Sequence, residues 1–317
     1  MATKKHAVSG PRVMNINNWE GEWVEALSAY LDIKPVPVKG TIFATGMGGS
    51  GIVGEVLKHI TNKSIKFSKL PIKEKVDWVV AISYSGNTTE TIYSVKQMKR
   101  RGAKIIAITS GGKLPKYADY VVKLPEGMLP RDGFPYMLSA ALAVVGCKKE
   151  LREAIKAVRS TDLKQAKKIV ELIEGRTPVI YSSGWMIAAA KRFKQQLNEN
   201  AKMFAFFSKM PDSFHNDIEP FFWDNKPFSA KRRDGFVPVI IGNGYLAYKT
   251  AQFLPNAFHI KAKKTNKVLE VVSSIYLLDY VSFKLAEKRK MDRISIPGIT
   301  MGRQVISGLK SFHTKVG

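Results

Sequence analysis

The feature that most constrains this sequence is a set of short, wholly apolar runs, each followed by small or hydroxyl residues and then by a segment of helical spacing. The run Trp78-Val-Val-Ala-Ile82 offers no polar face to water. A strand of that composition has to be covered on both sides, which is the condition of a strand inside a parallel sheet. It opens into Ser83-Tyr-Ser-Gly-Asn-Thr88, and over 89–98 apolar residues return at helical spacing. A loop that joins a strand end to a helix start gathers unpaired backbone N–H groups. The hydroxyls of Ser83, Ser85 and Thr88 add to them, so the loop predicts a site for a phosphate or another small anion. Gly86 lets the backbone approach a ligand. The alternative is an ordinary N-cap, for which one serine or threonine suffices. Three hydroxyls, a glycine and an asparagine within six positions favour the anion site.

The same order recurs along the chain. Thr41-Ile-Phe-Ala-Thr45 runs into Gly46-Met-Gly-Gly-Ser-Gly51 and then into a helix predicted over 52–60. Strand, glycine-rich turn and helix make the generic phosphate- or nucleotide-binding corner of an open α/β sheet. The Walker lysine is missing, and Met47 and Ser50 break a dinucleotide pattern. Further strands are expected at 65–68, at 104–109 ahead of Ser110-Gly-Gly112, and at 120–124. Arg101-Gly102 reads as the end of the intervening helix. A loop over 125–135 carries Arg131 and leads into an apolar helix at 136–145. A charged helical region over 148–175 separates the halves. The second half repeats the plan with a strand at 178–182, Ser183-Gly184, and a helix over 186–198. A strand at 237–241 with Gly242-Asn-Gly244, a segment at 257–262 and a long apolar helix over 268–286 follow. A short amphipathic helix over 19–31 and a connector rich in proline and lysine precede everything. The predicted fold is therefore α/β: two tandem doubly wound domains with mainly parallel sheets flanked by helices, 1–150 and 151–317. A chain of 317 residues is long enough for each to have its own core.

Composition narrows the function classes. With 45% hydrophobic and 24% charged residues the chain reads as a soluble globular protein. No apolar run approaches the ~18–20 residues that cross a bilayer, so no membrane partner is expected. The basic N-terminus has no apolar segment behind it and does not read as a secretion signal. Cys147 is alone, which fits a reducing cytoplasm, and its place at the end of an apolar helix suggests a packed thiol. The net charge of +25 has three explanations: nucleic-acid binding, a field that attracts small anions, or surface composition with no ligand behind it. The basic residues are dispersed, with only short clusters such as Lys99-Arg-Arg101 and Lys231-Arg-Arg233. No zinc-finger, basic-region or aromatic RNA-binding signature accompanies them, so no nucleic-acid partner is expected. No His-x-x-x-His, Cys-x-x-Cys or clustered carboxylates suggest a metal, and no cofactor is expected.

Gly46-Met-Gly-Gly-Ser-Gly51 followed by Ser83-Tyr-Ser-Gly-Asn-Thr-Thr-Glu-Thr91 resembles the sugar isomerase (SIS) domain, which binds phosphosugars. The whole chain resembles the archaeal bifunctional phosphoglucose/phosphomannose isomerases of the phosphoglucose isomerase superfamily. Besides the two loops, the resemblance rests on Pro130-Arg131 and on Phe193-Lys-Gln-Gln-Leu-Asn-Glu-Asn-Ala-Lys202. A histidine sixteen residues after the glutamate, in His215-Asn216, completes it. It implies two SIS-type domains and a cytoplasmic homodimer that interconverts glucose 6-phosphate and mannose 6-phosphate with fructose 6-phosphate. The implied chemistry is a metal-free proton transfer through a cis-enediolate.

Glu199 is implied to be the shuttle base, since a carboxylate can take a carbon-bound proton and return it to the neighbouring carbon. The other reading is a solvated helix glutamate; the polar patch Gln195-Gln-Leu-Asn-Glu-Asn200 favours the first. His215 is implied to open the sugar ring and to be supplied by the partner subunit. Arg131 is implied to stabilise the enediolate, a role its permanent charge suits, against a surface arginine in a proline-bounded loop. Lys310 is implied to help ring opening, against a surface lysine in a basic tail. The family has a threonine or glutamine seven residues ahead of that lysine, where this chain has Arg303 with Gln304 beside it. Gly48, Gly49 and Ser50 are implied to border the sugar, with Ser83, Ser85 and Thr88 on its phosphate. Two further readings share these loops. One is an isomerase of an aminosugar or heptose phosphate. The other is a non-catalytic sugar-phosphate regulator, which has no need of Glu199 and His215.

Overall fold

The computed structural model describes residues 11–223, 226–227, 235–262 and 266–313; the side chains of 223, 226, 227 and 307–313 lie outside the described residues. In the first half the apolar runs form β1 (Ile42–Thr45), β2 (Ile65–Phe67), β3 (Trp78–Ile82), β4 (Lys104–Thr109) and β5 (Tyr120–Lys123). They pair in the order β2-β1-β3-β4-β5, every pair parallel. β1 and β3 are buried at every residue, as unbroken apolar runs require. Thr45 lies beside Ala81 and Ile82 beside Ile108, so the loops that leave β1, β3 and β4 emerge side by side. The chain runs from β1 to β2 on one flank and then crosses to β3 on the other. This reversal leaves a crevice at the strand ends, the usual ligand position in open α/β sheets.

Helices α1 (Trp19–Ser28), α2 (Gly48–Ile60), α3 (Thr89–Arg100), α4 (Phe134–Val144), α5 (Lys148–Arg159) and α6 (Gln165–Ile173) accompany this half and the connection out of it. The glycine-rich stretch does not remain a loop. α2 starts at Gly48, ahead of the predicted start at Ile52, and Gly48 itself has φ 53 at the entry. A side chain there would be strained, so glycine lets the helix begin directly at the end of β1.

The second half holds β6 (Thr177–Ser182), β7 (Phe206–Lys209), the two-residue antiparallel pair β8 (Phe222–Trp223) and β9 (Lys226–Pro227), β10 (Phe236–Ile241) and β11 (Phe258–Ile260). The main sheet runs β11-β10-β6-β7, all parallel. α7 (Ile187–Glu199) links β6 to β7, and α8 (Tyr245–Phe253) links β10 to β11. The long α9 (Lys267–Lys288) and α10 (Pro297–His313) finish the described chain. Trp19, Trp23, Val56, Phe134, Leu151, Leu197 and Tyr276 belong to one apolar cluster that spans both halves. Smaller clusters cover the outer faces, around Val79 and Ile105 in the first half and around Tyr181 and Ile240 in the second. The expectation of two separate cores is thus corrected, and α9 is the reason. It is apolar round most of its circumference and packs against α2, α5, α6 and α7.

Cys147 is buried where α5 begins, and burial pushes its thiol up to about 11, the state of a packed sulfur. Among the described residues no helix is long and apolar enough to cross a membrane.

Candidate active site

The hydroxyl loop leaves the end of β3. Ser83 is buried, and its Oγ lies 2.9 Å from Thr88 Oγ1. Thr88 is the N-cap of α3, yet its hydroxyl makes no capping bond to the helix. The ordinary-cap reading therefore does not account for it, and among the described residues no side chain accepts from the first amides of α3. Ser85 is exposed, and its Oγ accepts from the Asn87 amide at 3.3 Å. Gly86 has φ 63, and a Cβ there would collide with the Gly111 carbonyl. Only glycine fits where this loop is laced to the one after β4. The Lys113 and Leu114 amides donate to the Gly86 carbonyl at 3.0 and 2.9 Å. Ser110 donates to the Tyr84 carbonyl through its amide at 2.8 Å and its hydroxyl at 2.7 Å.

Tyr84 carries the loop's position on to the next piece. Its hydroxyl donates to the Pro125 carbonyl at 2.7 Å and accepts from the Met128 amide at 2.9 Å. That anchors the segment bearing Arg131, which is buried rather than a surface arginine. Arg131 Nε donates to Asn200 Oδ1 at 2.7 Å, Nη2 donates to the Arg293 carbonyl, and Nη1 lies 3.7 Å from Glu199 Oε2. Arg192 of α7 sits 3.9 Å from the centre of the Phe134 ring and pairs with Asp279 of α9 at 2.5 Å. Burial pushes the Asp279 carboxyl up to about 6, with Arg192 opposing the shift. Arg192 also donates to the Arg131 carbonyl at 3.1 Å, so its charge fixes the neighbouring backbone. A Cβ on Gly49 would lie 3.7 Å from Arg192 Nη1 and 3.9 Å from Arg131 Cα, which sets the first turn of α2 against both arginines. Ser50 is buried, its hydroxyl directed at Met137 Sδ at 3.4 Å, so Gly49 rather than the Ser50 hydroxyl meets the arginines.

Glu199 is the last residue of α7, and its side chain is 24% exposed. Burial raises its carboxyl above the ordinary glutamate range, while Arg131, Arg192, Lys202 and Arg303 pull it back. A base of raised proton affinity beside cations is the profile needed to take a proton next to a carbonyl. Just beyond the helix Lys202 has φ 52, in the left-handed region that side chains rarely adopt. Its Nζ donates to the carbonyls of Glu199 at 2.7 Å and Ser295 at 2.6 Å. Arg289 Nε on the Ala201 carbonyl at 3.0 Å and Arg293 on Asp132 at 3.3 Å complete a strap of residues 289–296 across the end of α7. Beside it lies a cavity of about 540 Å³ lined by Asn198, Glu199, Lys202, Asp292, Ser295 and Ile299.

Arg131 thus meets Glu199 through its guanidinium and Gly49 through its backbone, and Tyr84 ties the loop of Ser83, Ser85 and Thr88 to the segment that carries it. His215 does not join them within one chain. It is exposed at the end of the turn Asp212–His215, beyond the finish of β7, whereas Glu199 precedes the start of that strand. Lys310 falls in α10, but its side chain lies outside the described residues. Among the described residues no group of three or more His, Cys, Asp or Glu residues could hold a metal ion. Sequence reasoning missed Arg192, Lys202 and the strap. Arg192 lies two turns before Glu199 on the same helix face, a detectable signal. The strap binds largely through backbone carbonyls, which residue types do not reveal.

The family described as bacterial phospho-glucose isomerase C-terminal SIS domain matches residues 162–306, and the SIS domain matches 37–145. A D-glucosamine-6-phosphate 4-epimerase of Sulfolobus acidocaldarius is 33% identical over 85% of this chain and 90% of its own length. A bifunctional phosphoglucose/phosphomannose isomerase of Thermoplasma volcanium is 30% identical over 79% of this chain and 86% of its own. One from Aquifex aeolicus is 36% identical over 62% and 65%. Among solved structures, glucosamine-6-phosphate deaminase of Thermotoga maritima superposes with TM-score 0.63 at 13% identity, covering 89% of this chain and 96% of that one. The C-terminal domain of glucosamine-fructose-6-phosphate aminotransferase of Francisella tularensis gives 0.62 at 14%, covering 87% and 95%. The two paired parallel sheets are the SIS-type architecture that these share.

Proposed function

Because the chain belongs to the SIS-domain family of bifunctional phosphoglucose/phosphomannose isomerases, we propose that it interconverts glucose 6-phosphate and mannose 6-phosphate with fructose 6-phosphate. The observation that carries this reading is Glu199 standing 3.7 Å from buried Arg131, whose backbone lies against the first turn of α2. Ser83, Ser85, Thr88 and the amide end of α3 hold the 6-phosphate. Glu199 takes the proton from C2, and the C–H electrons form the C1–C2 double bond. Charge then develops on O1 beside Arg131, whose guanidinium stabilises it without titrating. The C2 hydroxyl proton passes to O1, quenching the charge there as the C2 ketone forms, and Glu199 returns its own proton to C1. Either C2 epimer reaches the same cis-enediolate after rotation about C2–C3, so one base serves both sugars.

Ring opening needs a second acid/base, and the partner subunit's His215 fills that role in a cytoplasmic homodimer. Phe204 and Phe206, 79% and 52% exposed beside the unpaired edge of β7, support a second copy docking on that side. Lys310 on α10 assists the same step. No metal takes part in the proposed proton transfer.

The 33% identity to the Sulfolobus acidocaldarius epimerase supports a second reading, in which the substrate is an aminosugar 6-phosphate. The purified protein is incubated with fructose 6-phosphate and, separately, with D-glucosamine 6-phosphate, and the products are resolved by NMR. Glucose and mannose 6-phosphates from the first sugar support the isomerase. An epimer from the second, with no aldose from the first, moves the assignment to the other reading. Glu199→Gln is expected to lower kcat by about 10²–10⁴-fold while sugar-phosphate affinity is retained; full activity in that variant removes Glu199 from the mechanism.

A further inference from the structure

A carboxylate base and a guanidinium that share a pocket tend to collapse onto each other. A bidentate arginine–carboxylate pair occupies both oxygens and draws down the proton affinity of the acid. Arg131 and Glu199 do not do this. Their ion-pair contact, at 3.7 Å, lies beyond hydrogen-bonding distance. The reason is in the other nitrogens of Arg131. Nε is held by Asn200 Oδ1 at 2.7 Å, and Nη2 is taken by the Arg293 carbonyl.

Asn200 follows the base directly and is wholly buried. Its Nδ2 donates to Ser282 Oγ at 3.0 Å, and Ser282 Oγ donates to the Asp279 carbonyl at 2.6 Å. With its NH₂ group committed to α9, the amide can present only its oxygen to Arg131. The same stretch of α9 supplies the Asp279 carboxylate to Arg192, which bonds the Arg131 carbonyl at 3.1 Å. Arg131 is therefore gripped at its side chain and at its backbone from one helix.

On the reading of Glu199 as the base, we propose that Asn200 is a positioning residue that keeps the Arg131 guanidinium from closing its 3.7 Å ion pair with Glu199 into a hydrogen-bonded one. The carboxylate then stays basic and unoccupied while the cation faces the developing oxyanion. The charged groups around Glu199 are Arg131 from the segment before α4, Arg192 from α7, Lys202 beyond the helix end and Arg303 from α10. Arg192 is committed to Asp279, and Lys202 to two carbonyls. Arg303 is exposed on α10. Arg131 is the cation whose approach Asn200 controls.

The test titrates the Glu199 carboxyl directly, by ¹³C NMR of full-length protein labelled at glutamate side-chain carboxyls. The signal is assigned by its loss in Glu199→Gln. In Asn200→Ala the guanidinium closes on the carboxylate. The Glu199 midpoint falls by about one to three units, and the acid limb of the kcat profile moves down with it. kcat drops by about 10²-fold, the scale of a misplacement of about 1 Å, with KM little changed. Asn200→Asp, which keeps an acceptor in place, does not show the fall. If Asn200→Ala fails to fold, Ser282→Ala reads the same titration with a smaller downward shift. A Glu199 midpoint that stays put in the folded alanine variants overturns the proposal. The titration needs no turnover, so it is separate from the base assignment, which fails only if Glu199→Gln remains active.

Discussion

Arg192 carries a full charge into the interior and never meets the opening. It is 2% exposed, and its guanidinium bonds both oxygens of Asp279, which is equally buried. Removing one member of such a pair strands the other without compensation. Asp279→Ala is expected to cost about 3–5 kcal/mol, measured by urea denaturation at neutral pH, and to loosen Arg131 through its carbonyl. A loss below about 1 kcal/mol, the scale of a surface pair, would show that the pair does not support the site. At this scale the sequence was partly legible. Ser83 is legible in its crowd of hydroxyls after an apolar strand, whereas Glu199 and Arg131 are marked by the family resemblance. Asn200 was visible only as part of a motif, since its role is set by Ser282, 82 positions away. A distance of that kind is decided by how α9 folds back, and no local pattern encodes it.

Among the elements, the loop after β3 is the most tightly specified. Gly86 lies where a Cβ would strike the Gly111 carbonyl, and the loop after β4 hangs on the Gly86 carbonyl by two amides. Gly86→Ala is expected to force the two loops apart. The strain of about 1–3 kcal/mol falls on the loop proposed to hold phosphate rather than on the core. Calorimetric titration with fructose 6-phosphate then shows a Kd raised about tenfold or more, while far-UV circular dichroism is unchanged. An unaltered Kd would remove the loop from phosphate binding. β1, β3 and β4 were readable because central parallel strands must be apolar throughout. β7 and α8 were not. β7 is an edge strand with no fully buried residue, and α8 buries only Ala247 and Thr250, so neither leaves a periodic signal. The start of α2 is hidden in the sequence because glycines read as loop, although here they form the helix's first turn.

At the scale of the whole molecule, the separation of His215 from Glu199 by the length of β7 gives the dimer proposal a direct test. Glu199→Gln and His215→Ala proteins are each expected to be nearly inactive. Mixed and allowed to exchange subunits, they regain activity, because one of the two sites in the hybrid carries an intact base and an intact histidine. A mixture that stays inactive while size-exclusion chromatography shows exchange would place His215 outside the shared site. The charge of +25 remains legible only as a total, since the basic residues are scattered over the chain. The apolar cluster that reaches from Met14 to Leu285 binds the two sheets into a single body. A body welded in this way has no waist at which to bend. On the proposed function, a sugar phosphate enters past residues 286–306, none of which belongs to that cluster.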